Sequence, residues 1–170
     1  MKHMRTPGFV FCFASVVFLG ACGAGMDGSG TDMGGPGTAE MQSGLTATRD
    51  GATRVRTGVD LVRTDGKTPG LEHVRGGITA MSAGMEKMRS GLGLMEGGMV
   101  SKCGGTAGGM MASMDQGLGD MRNGAAMMDD ADPSNDAAAL DKIEAGLKST
   151  SNGMGSMSSS MSCMGHGSMM

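Results

Sequence analysis

The chain has 170 residues, 14 basic against 17 acidic, with 33 Gly and 22 Met but no Trp or Tyr. That balance disfavours nucleic-acid binding, whose affinity rests mainly on Lys and Arg contacts to phosphate. A Gly- and Ser-rich composition with little Leu, Ile, Val or Phe ordinarily argues for disorder, so any folded core depends on how the residues are ordered.

Residues 1–21 have the make-up of a secretion signal. Lys2 and Arg5 form a cationic start, an apolar run extends from Gly8 to Leu19, and the small residues Gly20 and Ala21 precede Cys22. The run is shorter than the roughly 20 residues that span a bilayer. Leu19-Gly20-Ala21-Cys22 resembles the lipobox of bacterial lipoproteins, in which signal peptidase II cuts before a diacylglyceryl-modified cysteine. The resemblance implies that Cys22 becomes an acylated N-terminus held in a lipid bilayer. Gly23 rather than Asp at the next position implies the outer membrane, facing the periplasm. Cleavage removes all four Phe (9, 11, 13 and 18) and Cys12, and leaves 12 basic residues facing 17 acidic ones, a net charge near −5. The processed chain then has no aromatic side chain, and its large apolar residues are 20 Met against 15 Leu, Ile and Val.

Residues 22–37 read as the lipidated cysteine and a flexible Gly-rich linker. From Gly44 onward a seven-residue repeat takes over. Thirteen of sixteen heptad blocks open with Gly. Apolar residues alternate three and four apart: Met41, Leu45, Thr48, Ala52, Val55, Val59 and Val62 first; then Leu71, Val74, Ile78, Met81, Met85, Met88, Leu92, Met95 and Met99; then Met111, Met114, Leu118, Met121, Ala125 and Met128; then Leu140, Ile143, Leu147, Thr150, Met154, Met157, Met161 and Met164. This is the a/d seam of helices packing side by side. Thr68-Pro69 and Asp132-Pro133 each set a capping oxygen before a proline, and Gly104-Gly105 suits a helix end. The expected helices are 38–64, 69–102, 107–130 and 133–163. Short connections predict an all-α, antiparallel up-down-up-down four-helix bundle over 38–165, with 166–170 a flexible tail. Gly at the position beside the seam costs roughly 1 kcal/mol per residue relative to Ala. The expected compensation is close backbone approach, with flexible Met filling the remaining space.

Two readings of the methionines follow. In one, Met is the core residue of a non-catalytic structural or interaction module. In the other, the thioethers bind a soft monovalent metal, Cu(I) or Ag(I), since soft sulfur ligands select Cu(I) and Met-x-x-Met places two sulfurs on one helical face. Met85/Met88, Met111/Met114, Met154/Met157 and Met161/Met164 have that spacing, with Met81, Met95 and Met99 extending the pattern, which resembles that of Met-rich periplasmic copper- and silver-binding proteins. The C-terminus concentrates thiol, thioether and imidazole, so Cys163, Met164 and His166 with Met154, Met157, Met161 and Met99 form the candidate metal set. Cys103 and Cys163 fall at one end of the expected bundle and are also a candidate disulfide, which competes with thiolate ligation in an oxidising envelope. His73 and Asp129-Asp130 read as solvated surface. The chain contains no C-x-x-C-H haem site, no Glu-x-x-His di-iron pair and no phosphate-cradling Gly loop with a following Lys-Ser/Thr, so no enzyme reading is supported and no cofactor is called for beyond those metals.

Overall fold

A heptad seam with glycine beside it predicts helices that touch along their backbones. The computed structural model describes residues 35–95, 107–129 and 132–166, with side chains through residue 161. Four α-helices pack against one another: α1 (Pro36–Thr64), α2 (Lys67–Leu94), α3 (Ala107–Asp129) and α4 (Asp136–His166). There is no strand among the described residues, and none of the described helices is long and apolar enough to cross a membrane.

The helix ends depart from expectation in several places. The last helix, α4, begins at Asp136 after a 3-10 turn over Pro133–Asn135 and runs to His166, past the expected end at 163 and into the first residue of the expected tail. Pro36 starts α1 two residues early, at the first helical position, where a missing N–H costs nothing. Thr68 is not the cap of α2. That helix begins at Lys67, and Gly66 turns the chain with a φ of 106°, a left-handed conformation that a side chain would resist. At the other end α2 stops at Leu94 rather than 102, where Met95 turns extended (ψ 130°). Gly91 and Gly93 weaken the helix propensity of its last turn.

Asp132 behaves as expected. Its Oδ1 accepts the Ser134 N–H at 2.9 Å over a single 3-10 turn, Pro133–Asn135, that leads into α4. The backbone N–H of Ser134, then its side chain, hold the Asp132 carboxyl below its ordinary value. A carboxyl lowered on folding stabilises the fold above its unfolded pKa, and that contribution fades as pH falls through the lower folded value. An NMR titration should therefore find Asp132 with a midpoint below about 3.9, the usual Asp value. Asp132→Ala should fray the start of α4, and Asp132→Asn should keep the turn.

The glycines set the closest approaches. Gly37, Gly44, Gly51 and Gly58 of α1 face Gly91, Gly84, Gly77 and Gly70 of α2, so partners descend α2 as they ascend α1. A methyl on Gly44 would stand 2.5 Å from the Gly84 carbonyl oxygen and 2.7 Å from the Met88 nitrogen. In α3 and α4 the same role falls to Gly117 against Gly146 and Gly124 against Ala139, while Gly153 packs on Met114 and Met110. The two other interfaces are joined by longer side chains. Arg75–Asp129, Ser82–Arg122 and Arg89–Asp115 link α2 to α3 at seven-residue intervals. Arg56–Ser151 (3.4 Å) and Arg63–Glu144 (2.7 Å) link α1 to α4, and Lys67 pairs with Asp136 at 2.7 Å. In all four of these ion pairs between helices the cation lies on α1 or α2 and the anion on α3 or α4. Exposed pairs of this kind contribute about 0–1 kcal/mol each. They act more on which helices meet than on how tightly.

The seam residues form one continuous core. Every apolar a/d residue expected in 41–59, 71–88 and 111–128 is buried, and only the outer ones (Val62, Leu92, Met95, Leu140 and Met161) are half-buried. Two seam positions are threonines, Thr48 and Thr150, both fully buried. Each hydroxyl donates to the carbonyl one turn back, Gly44 at 2.8 Å and Gly146 at 2.9 Å. That bond satisfies a polar group that would otherwise be costly inside the core.

Candidate functional site

The methionine pairs singled out for their spacing point inward. Met85, Met88 and Met114 are fully enclosed, Met111 and Met154 are 6% exposed and Met157 is 1% exposed. Met161 is half-buried against the same core. Cys163, Met164 and His166 belong to the last turns of α4, but their side chains lie outside the described ones. Cys22, Met99 and Cys103 also lie outside the described residues, so neither the lipidation site nor the candidate disulfide has a described geometry. His73 is exposed, and Asp129 reaches the surface partner Arg75. The Asp115 carboxylate bonds to Arg89 and, together with Glu86, holds that guanidinium above its ordinary value against the opposing effect of burial.

The contacts between helices divide the core into two halves. Gly37–Gly91 and Gly44–Gly84, Arg89–Asp115, and Gly153 against Met110 and Met114 join the start of α1, the end of α2, the start of α3 and the end of α4. Gly58–Gly70, Arg75–Asp129, Gly124–Ala139 and Arg63–Glu144 join the opposite ends. The first half contains ten of the fourteen core methionines and only three branched aliphatics, Leu45, Leu92 and Leu118. The second half contains Met81, Met121, Met127 and Met128 among nine Val, Leu and Ile side chains. The core is therefore split by chemistry, with sulfur at one end and hydrocarbon at the other.

Three partly exposed methionines, Met95, Met110 and Met161, border the sulfur-rich half. Met110 takes a heptad-opening place that Gly holds in thirteen of the sixteen blocks, and the Ser160 hydroxyl lies 3.9 Å from its thioether. No cluster of three or more His, Cys, Asp or Glu exists among the described residues; the soft donor atoms described in this half are thioethers. Sequence spacing identified the C-terminal members Met154, Met157 and Met161 but left out Met41 and Met110. The missing signal is the alternation of direction: methionines cluster early in the first and third seams and late in the second and fourth.

A surface groove of about 370 Å³ lies between α2 and α3, lined by Arg75, Thr79, Arg122 and Asp129 over Ile78 and Ala125. Two of its charged side chains, Arg75 and Asp129, pair with each other, and Arg122 reaches Ser82. No protein-family model, curated protein or solved structure matches the chain.

Proposed function

We propose that the protein is a lipid-anchored lipoprotein of the bacterial cell envelope. Cys22 is its acylated N-terminus, and its helices form a non-catalytic structural or interaction module on a short Gly-rich tether. In this reading α1 to α4 run alternately up and down, each antiparallel to the next. Partner numbers that descend along α2, α3 and α4 as they ascend along the facing helix support that arrangement.

The observation that carries the reading of the helical part is the burial of its methionines. Side chains that are 0–6% exposed along every seam do the work that Leu and Ile do in other bundles. The charged groups support it as well, since the inter-helix ion pairs link neighbouring helices. The anchor rests on Leu19-Gly20-Ala21-Cys22, and Gly23 favours the outer membrane.

Expression of the full precursor in a diderm bacterium tests the anchor. The wild-type chain should be processed at Cys22, carry acyl chains by mass spectrometry and partition into detergent. Cys22→Ala should lose both the acyl mass and the partitioning. Equal partitioning of the two proteins would overturn the proposal.

A further inference from the structure

Along α1 and α2 the segregation of methionine to one half of the core is not explained by packing. There glycine brings the backbones equally close in both halves, through Gly37–Gly91 and Gly44–Gly84 in one and Gly51–Gly77 and Gly58–Gly70 in the other. The spaces left beside such contacts are therefore similar, and in the second half Val, Leu and Ile fill them. Shape alone would let the same residues fill the first half. What methionine adds there is a sulfur atom.

We propose that the methionine-rich half is a binding site for a soft monovalent cation, Cu(I) or Ag(I), held by thioethers drawn from Met88, Met111, Met114, Met154 and Met157. These residues come from α2, α3 and α4, and Met114 packs directly on Gly153, between Met154 and the preceding turn. Soft sulfur ligands select such ions over Mg(II), Ca(II) or Mn(II), which take oxygen. A bare charge in an apolar core is costly unless it is coordinated. Several neutral thioethers replace its water shell without adding charges of their own. Methionine is unbranched with three rotatable bonds, so its sulfur can swing towards an ion while the backbone stays clasped at the glycines. The half-buried Met95, Met110 and Met161 at the border of this half supply intermediate ligands between solvent and the interior. The site lies in the helix core, and it requires neither Cys163 nor His166.

The test uses the full chain processed at Cys22, reduced and in detergent, with methionine methyl groups labelled with ¹³C and Ag(I) as the probe. One equivalent of Ag(I) should shift the methyl signals of Met88, Met111, Met114, Met154 and Met157 and leave Met121 and Met128 in place. The volume-conserving triple variant M88L/M114L/M157L should keep its helicity. Its Ag(I) affinity should fall by about 100-fold or more, the upper end of what even supporting residues of metal sites cost. C103S/C163S/H166A should bind as the wild type does. Should the triple leucine variant fail to fold, the wild-type methyl map decides alone. Loss of binding in C103S/C163S/H166A, shifts spread evenly to Met121 and Met128, or no shift at one equivalent would each overturn the proposal.

Discussion

Gly44→Ala is expected to destabilise the folded chain by about 1–3 kcal/mol, the usual cost of overpacking a filled core, although alanine is the better helix former by roughly 1 kcal/mol. The methyl would lie 2.5 Å from the Gly84 carbonyl oxygen and 2.7 Å from the Met88 nitrogen. Both are backbone atoms of a helix and cannot turn aside as a side-chain tip can. The helices must separate, and the other glycine contacts along α1 and α2 loosen with them. Gly84→Ala should behave alike, since its methyl would meet the Gly44 carbonyl oxygen at 2.6 Å. The opposite sign is expected at Gly109 and Gly155, where nothing lies within 4 Å of an added methyl. There alanine should stabilise by up to about 1 kcal/mol through helix propensity alone. Urea midpoints of the four variants separate the two groups. Stabilisation by all four would mean that the glycines do not set the helix spacing.

The second large effect is expected at Met114. The side chain is fully buried and its thioether packs over Gly153. Met114→Ala should cost about 2–5 kcal/mol, because the lost contacts are compounded by a cavity that clasped helices cannot collapse. Domains of this kind have total stabilities of about 5–15 kcal/mol, and a bundle with a glycine in nearly every heptad belongs at the low end. The alanine variant should therefore melt close to the working temperature, as followed by far-ultraviolet circular dichroism. Met114→Leu should cost less than about 1.5 kcal/mol, since it conserves volume. The pair separates two roles of the residue: leucine restores the packing and omits the sulfur, so a fold that survives with weakened Ag(I) binding assigns the thioether a function beyond filling space.

Much of the helical core is legible in the heptads. Met41 through Val59, Leu71 through Met88 and Met111 through Met128 are buried where the three-four alternation places them. Asp132 caps its turn as its position before Pro133 suggests. Thr68 looked equally good before Pro69, but Gly66 reverses the chain two residues earlier and the helix starts without it. Cap motifs in sequence locate a chain reversal only when nothing nearby turns more cheaply, and a glycine with positive φ does so at no steric cost. The end of α2 at Leu94 is not legible either, since the three-four alternation runs on through Met95, where the backbone turns extended.

The candidate site shows the same division. Met154, Met157 and Met161 stand out in sequence because they are close together in the chain. Met41, Met88 and Met114 join them only through the folded register, since their separation in sequence conceals a shared end. By itself, the order of residues determined that this chain forms helices, which faces those helices bury and that glycine lies beside each seam, because these follow from a local period of 3.5 residues and from what glycine lacks. Only the tertiary structure decided which seams meet and where the sulfur gathers. Methionines late in α2 and α4 lie beside those early in α1 and α3, and the glycine contacts and ion pairs that hold them there are set by which residues of different helices come within reach of one another. Local propensity encodes none of those distances.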